Sequence, residues 1–93
     1  MKKLLPHIFI DVCENGQIKL VVEDYELFDF IDDYLIETCE LPYETISITK
    51  RVGGEIVVAT FPPVITSAVI EESILQLSPE EVESIYRLNN KLA

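Results

Sequence analysis

The side chains with the greatest chemical potential in this sequence are nine carboxylates that lie between Leu20 and Thr49. Clustered carboxylates can hold a divalent cation, share protons as general acid and base, or attract a basic partner. The same stretch contains no lysine, arginine or histidine, and its charge nearly equals the net charge of −10 of the whole chain. The charge asymmetry is therefore local to these residues: Glu23, Asp24, Glu26, Asp29, Asp32, Asp33, Glu37, Glu40 and Glu44.

An amphipathic helix positions most of these carboxylates. The segment 23–37, EDYELFDFIDDYLIE, places its apolar residues on one half of a helical wheel. Asp24 is the predicted N-cap, and Leu41-Pro42 ends the helix because the residue before a proline disfavours helical geometry. The opposite arc is acidic, with two apolar side chains among its carboxylates. The residues predicted to contact a partner are Tyr25, Glu26, Asp29, Asp32, Asp33, Ile36, Glu37 and Glu40.

The acidic arc weakens the helix that carries it. Like-charge neighbours three or four residues apart cost a few tenths of a kcal/mol each, on the order of 1–2 kcal/mol in total. Since a lysine here would stabilise the fold, we predict that binding keeps the arc acidic. Tyr25 and Ile36 would then be anchors ringed by steering charges. The alternative is a solvated face that is acidic for solubility, with Tyr25 and Ile36 under neighbouring loops.

No motif in the sequence indicates catalysis. There is no nucleophile motif, phosphate-binding glycine loop, zinc spacing or twelve-residue calcium loop. A metal site on Asp29, Asp33 and Glu37 would need helper ligands from another helix, and no such pair exists. His7, the single histidine, is predicted to be an edge residue opposite Glu23 in a hairpin. We therefore predict no enzyme activity, no metal and no cofactor.

Size and composition indicate one folded domain over residues 1–93, with 48% apolar and 26% charged residues. The acidic balance argues against binding nucleic acid directly or an anionic membrane surface. The first residues faintly resemble a signal peptide, but Pro6 and His7 interrupt the apolar stretch and no cleavage site follows. We expect a cytoplasmic protein. Cys13 and Cys39 are expected to be free thiols, with a disulfide between them as the alternative.

The first hairpin can be derived from its alternating pattern. A two-residue loop at Asn15-Gly16 would mix apolar and polar residues on each face of the two strands. A three-residue loop, Glu14-Asn15-Gly16, instead gives one clean apolar face, with Gly16 in the left-handed conformation. The predicted pairs are Val12 with Ile18, Ile10 with Leu20 and Ile8 with Val22, and on the other face Asp11 with Lys19, Phe9 with Val21 and His7 with Glu23.

The remaining elements complete an α+β fold. A second hairpin is predicted from strand 43–50, a turn at Gly53-Gly54, and strand 55–61, whose two apolar faces suggest cover on both sides. Residues 64–77 fit a helix from about Thr66 or a strand over 64–70, and Ser78-Pro79 with Glu81 forms a capping box before a last helix. The order β-β-α-β-β-(α)-α predicts a two-layer sandwich, with a mainly antiparallel four-stranded sheet and two or three helices on one face.

The overall profile is small, acidic and without a catalytic motif. It resembles that of bacterial toxin-immunity proteins, antitoxins and phage inhibitors of host defence such as anti-CRISPR proteins, a resemblance of composition carried by no motif. We predict an inhibitor that covers a basic surface of a toxin, nuclease or defence-complex subunit, as a DNA mimic where that partner binds nucleic acid. The alternative is a structural or oligomerisation module, for example a homodimer, with a sheet edge or residues 64–77 as its interface.

Overall fold

The computed structural model describes residues 1–51 and 54–90. In these residues the chain forms five antiparallel strands in one open sheet, with three α-helices and one π-helical turn. The sheet order is β1-β2-β3-β5-β4. The elements are β1 (Lys2–Leu5), β2 (Ile8–Val12), β3 (Ile18–Val22), α1 (Tyr25–Asp33), the π turn (Tyr34–Thr38), β4 (Thr45–Arg51), β5 (Gly54–Thr60), α2 (Ser67–Leu75) and α3 (Pro79–Asn90).

The β2–β3 hairpin has the register that its alternation predicts. Val12 faces Ile18, Ile10 faces Leu20 and Ile8 faces Val22. The Cys13 N–H donates to the Gln17 carbonyl at 2.7 Å, which closes the three-residue loop. Gly16 adopts φ +91°, a left-handed conformation that only glycine enters at little cost. The predicted loop and pairing are therefore confirmed.

The prediction of a four-stranded sheet is wrong, because β1 adds a fifth strand at the edge beside β2. The strand has only four residues, and two of them are lysines, so it carries no alternating apolar pattern. The turn that follows it depends on His7, which adopts φ +66°. A non-glycine residue in this region is uncommon. Pro6 suits the first central position of a turn, but the second holds histidine instead of the usual glycine or asparagine.

The first helix begins as predicted but does not remain α-helical. Asp24 caps α1, since its carboxylate accepts a hydrogen bond from the Leu27 N–H at 3.0 Å. Instead of one continuous helix to Leu41, a π turn follows Asp33. Glu40 then adopts φ +55°, and the Leu41 N–H donates to the Leu35 carbonyl at 2.9 Å. Glu40 thus takes the left-handed position after the helix that glycine usually occupies, but the closing hydrogen bond spans six residues instead of the five of a Schellman motif, because a π turn precedes it.

The hydrophobic core lies on one face of the sheet, and residues of all three helices belong to it. On the sheet side Leu20, Val22, Val57 and Ala59 are fully buried. The prediction that β5 is covered on both sides is wrong. Its other face remains half-exposed, because no described helix packs there and only neighbouring strand residues shield it. On the helix side the fully buried residues are Leu27, Ile31, Leu35, Ile70, Ile74 and Val82.

The last two helices begin where the sequence indicates. Residues 64–77 contain a helix and not a strand, and the Thr66 hydroxyl caps α2 by accepting from the Val69 N–H at 3.4 Å. The Ser78 hydroxyl accepts from the Glu81 N–H at 3.3 Å, as a capping box requires. The same hydroxyl donates to the Glu80 carboxylate at 3.1 Å. The predicted turn at Gly53-Gly54 falls partly outside the described residues.

Tyr34 links the π turn to α2 and makes the stability of the fold sensitive to alkaline pH. Its hydroxyl donates to the Ser73 carbonyl at 2.7 Å. Burial, and then the neighbouring Cys39 thiol, raise the pKa of Tyr34 to about 12. An unfolded tyrosine ionises near pH ~10. The contribution to folding is therefore complete below that pH and is lost as the pH rises towards the folded value.

We expect Tyr34→Phe to lower the free energy of unfolding by about 1 kcal/mol at pH 7, since one hydrogen bond is lost and the Ser73 carbonyl loses its partner. The gap between the native and variant melting temperatures should then narrow between about pH 10 and pH 12. Thermal unfolding across this range measures both effects. Tyr25→Phe, at an exposed tyrosine, is the matched control. A gap that is absent at pH 7, or that widens above pH 10, would contradict this assignment.

Candidate partner-binding surface

The outward side of α1 and of the π turn presents a charged surface with two apolar side chains in it. Leu27, Phe28, Ile31 and Leu35 face the core, and Phe30, Asp32 and Tyr34 are half-buried at its margin, so the remaining residues of the segment are directed to solvent. Five carboxylates there are exposed. We call this group the acidic surface and define it as Tyr25, Glu26, Asp29, Asp33, Ile36, Glu37 and Glu40.

Tyr25 and Ile36 are partly open to solvent. Each retains 43% of its accessible surface, in contrast to the near-complete burial of the opposite side of the same helix. Single exposed apolar residues are ordinary on protein surfaces. Two such residues on one short helical segment among uncompensated carboxylates are the arrangement that a binding surface requires, namely apolar anchors within a charged rim. Neither side chain is completely covered by neighbouring segments.

Asp32 is the predicted contact residue that lies least open to solvent. It is half-buried, and its Oδ1 atom is enclosed with no hydrogen-bond partner among the described residues. Burial raises the pKa of the Tyr43 hydroxyl, and the adjacent Asp32 carboxylate raises it further. The Tyr43 ring in turn packs on Phe28, with ring centroids 5.8 Å apart. Asp32 therefore belongs to the junction between α1 and the segment that leads to β4.

The π turn changes how the second half of the surface is placed. Residues of a π turn advance by a smaller angle around the axis than those of an α-helix, because the hydrogen bond spans five residues. The Cys39 N–H donates to the Tyr34 carbonyl at 3.1 Å in this manner. The single arc drawn on an α-helical wheel therefore holds only for residues 25–33. Ile36 and Glu37 lie on the π turn, and Glu40 lies in the left-handed residue after it.

Among the residues whose side chains the structure describes, no salt bridge neutralises the acidic surface. The ion pairs of the described chain lie elsewhere, with Lys2 3.0 Å from Glu71 and Arg87 3.1 Å from Glu83. The N-terminal amine is 3.7 Å from Asp11, at the opposite side of the sheet. The charge segregation in the sequence thus persists in three dimensions.

A second cluster of titratable groups surrounds His7. Its ring stacks on Tyr86, with centroids 3.5 Å apart and planes 11° from parallel. The Nδ1 atom is 3.3 Å from a Glu23 carboxylate oxygen, and the Nε2 atom is 3.4 Å from a Glu83 carboxylate oxygen. The predicted proximity of His7 and Glu23 is confirmed. The contacts with α3 were not predicted, since hairpin pairing says nothing about where the last helix docks.

The His7 cluster connects the β1–β2 turn to α3. Burial acts to raise the pKa of Glu83, but hydrogen bonds from Arg87 and His7 outweigh it, so the pKa is lowered. Both imidazole nitrogens face carboxylates and one ring face is covered by Tyr86, which leaves no nitrogen directed at open solvent for a substrate. These contacts pack α3 against the β1–β2 turn. No group of three His, Cys, Asp or Glu residues in the described chain is placed to hold a metal ion.

Cys13 and Cys39 are both partly exposed, and they do not form a disulfide. Among the described residues, no helix is long and apolar enough to cross a membrane.

No protein-family model matches the chain, and comparison with curated proteins and with solved structures found no match. Any function must therefore be argued from the surface itself.

If the acidic surface is not maintained for stability, reversing one of its charges should stabilise the fold. Asp29 is exposed and has carboxylates three or four residues away at Glu26, Asp32 and Asp33. We expect Asp29→Lys to raise the free energy of unfolding by about 1 kcal/mol at low salt, because it turns repulsive neighbours into attractive ones. The melting temperature should rise by roughly 4–8 °C, and the gain should shrink in high salt.

Glu14→Lys, at the exposed β2–β3 loop, is the matched control for that substitution. It changes the net charge by the same amount without helical neighbours, so it separates local repulsion from relief of total charge. Chemical denaturation of both variants measures the difference. Equal stabilisation by the two variants, or destabilisation by Asp29→Lys alone, would show that local repulsion does not weaken α1.

Proposed function

We propose that this protein binds and neutralises another protein by laying its acidic surface over a basic surface of that partner. The observation that carries the proposal is the exposure of Tyr25 and Ile36, at 43% each, among five exposed carboxylates with no described salt bridge. More than half of each anchor is already covered, so completing its burial contributes about 1 kcal/mol, roughly half of the value for a fully exposed side chain. The carboxylates around it supply attraction and orientation.

The dimensions of the acidic surface suit the centre of a protein interface. Tyr25 and Ile36 are eleven residues apart, which corresponds to roughly 15 Å along a helical segment. A standard interface covers about 800 Å² on each partner, so both anchors fit inside one contact with charged residues at its rim. Binding would then be strongest where a cationic surface contains two apolar pockets at this separation.

The repulsion within the acidic surface favours binding to a cationic partner. In the free protein the like charges cost on the order of 1–2 kcal/mol. A bound lysine or arginine surface removes this cost, so the free energy lost from folding becomes available for association. The attraction also raises the rate of encounter, because oppositely charged surfaces steer one another in solution.

A partner that binds nucleic acid is the most natural target by chemistry. Successive carboxylates on one helical face lie about 5–6 Å apart at their Cβ atoms, as a row of negative charges along a rigid rod. A groove lined by lysine and arginine that accepts phosphates can accept such a row. The protein would then act as a DNA mimic that inhibits a nuclease, a toxin or a subunit of a defence complex.

A paired capture experiment tests the proposal. The native chain and an Asp29→Lys/Asp33→Lys variant serve as baits in lysates of the source organism and of organisms that compete with it. The matched control is Glu14→Lys/Glu72→Lys, which makes the same change in net charge at exposed positions outside the acidic surface. We expect a basic protein to be retained by the native bait and by the control, and lost by the Asp29/Asp33 variant.

The anchors are tested on the partner once it is purified. We expect Tyr25→Ala and Ile36→Ala each to weaken binding by about 1–2 kcal/mol, as for residues at the centre of an interface. Val64→Ala truncates a side chain that is 86% exposed and lies after β5, and it should leave affinity unchanged.

In the capture experiment, equal retention of a partner by the native and Asp29/Asp33 baits would overturn the proposal, since it would show that α1 does not carry the binding surface.

A further inference from the structure

The two edges of the sheet are protected to very different degrees. The β1 edge is short, carries Lys2 and Lys3, has an irregular register with β2, and forms a salt bridge to α2 through Glu71. These are the devices by which proteins keep edge strands from pairing with other chains. The β4 edge has none of them between Thr45 and Thr49, where it carries no charge and no proline.

The β4 strand is exposed throughout and carries apolar side chains. All residues from Thr45 to Lys50 are exposed, and Ile46 and Ile48 retain 43% and 45% of their accessible surface. Both isoleucines lie on the same side of the sheet as the core, since they pair with the buried Ala59 and Val57. They therefore extend the apolar face past the area that the helices cover.

The unpaired backbone groups of β4 belong to the same two isoleucines. The Phe61 N–H donates to the Ile18 carbonyl, so alternation directs residues 57 and 59 of β5 towards β3 and residues 56, 58 and 60 towards β4. The β4 residues paired with residues 56, 58 and 60 are Thr49, Ser47 and Thr45, whose backbone groups are therefore directed towards β5. The N–H and C=O groups of Ile46 and Ile48 consequently point away from the sheet, towards the free edge.

The sequence of this edge is a palindrome. Residues 45–49 read Thr-Ile-Ser-Ile-Thr in both directions, and they are flanked by an acid, Glu44, and a base, Lys50. An antiparallel pair of two such strands, centred on Ser47, places Ile46 opposite Ile48 and Thr45 opposite Thr49 of a second copy. At each end, Glu44 falls at the register position of Lys50 of that copy, and its carboxylate would exchange its present hydrogen bond from Gln17 Nε2, at 3.0 Å, for that lysine. The edge is therefore complementary to itself in shape, polarity and charge.

We propose that β4 is a self-association surface, through which two copies of this chain pair edge to edge around a two-fold axis at Ser47. The outward N–H and C=O groups of Ile46 and Ile48 then form hydrogen bonds with those of the second copy, and the four isoleucines form one apolar cluster. The β4 edge disappears and the two sheets become one continuous sheet of ten strands. A contact of this size is small, so association in the micromolar range is expected.

The pairing keeps the helices of both copies on one side of the joined sheet, because paired residues share a face. The α1 helix contacts β3 and β5. At about 4.8 Å between strands, the two α1 helices would lie roughly 19 Å apart. A dimer would thus present two acidic surfaces side by side. The proposal does not rest on the function proposed for that surface.

Two measurements on the full chain test the pairing. Sedimentation velocity over a range of protein concentrations reports the dimer, and NMR-detected amide exchange over the same range reports the surface. We expect the amides of Ile46 and Ile48 to become protected as the concentration rises, whereas those of Ser47 and Thr49, bonded within the sheet, are protected throughout.

Two kinds of variant separate this interface from others. Ser47→Lys puts two like charges on the two-fold axis, so we expect it to weaken self-association roughly tenfold or more. Ser84→Lys, at an exposed serine of α3, is the matched control and should have no effect. Glu44→Lys should also weaken the dimer, and adding Lys50→Glu should restore it. Thermal unfolding of each variant confirms that the monomer is folded.

Several outcomes would overturn the proposal. A chain that stays monomeric at millimolar concentration has no such surface. A dimer that persists in Ser47→Lys, or in which the Ile46 and Ile48 amides stay unprotected, uses a different surface. Failure of the charge swap to restore Glu44→Lys would exclude the proposed register. None of these outcomes bears on capture of a basic partner by the acidic surface, so the two proposals fail separately.

Discussion

Burial of one face of the sheet is the constraint from which the rest of this structure follows. The alternating strands place Leu20, Val22, Val57 and Ala59 on a single side, and three helices cover that side because its apolar side chains would otherwise face water. The acidic side of α1 then faces solvent by necessity. The three helices do not cover β4 at the edge of the sheet, so the side chains of Ile46 and Ile48 remain half-exposed.

The same constraint explains how the chain tolerates an unfavourable distribution of charge. The side of α1 that faces the core is almost completely buried, and the Asp24 cap satisfies the first turn. Burial of its apolar residues amounts to several kcal/mol, whereas the repulsion among its carboxylates amounts to about 1–2 kcal/mol. The free energy gained by burial therefore exceeds the repulsion among the carboxylates, and the helix forms. Stability does not require the outward face to be acidic, and the function we propose for it is contact with another protein.

Sequence reasoning was most successful where the decisive interactions are local. The β2–β3 register follows from the alternation of its two strands, and the caps at Asp24 and Thr66 follow from single side chains that satisfy nearby N–H groups. It failed where distant parts of the chain decide the structure. The stack of His7 on Tyr86 depends on how α3 docks, and β1 is a strand only because β2 offers it an edge. The exposure of the acidic side was predictable from periodicity, but the π turn beneath Ile36 was not.

The central claim is that the carboxylates of α1 and the π turn steer a basic partner into contact. Its most direct test is the association rate constant of the native chain with the purified partner, measured by stopped flow as salt is raised from about 50 to 500 mM. Steered association predicts a steep fall in this rate constant, with a dissociation rate that changes little. An association rate constant that is insensitive to salt would contradict the account, and would leave the acidic surface as a solvated face of the fold.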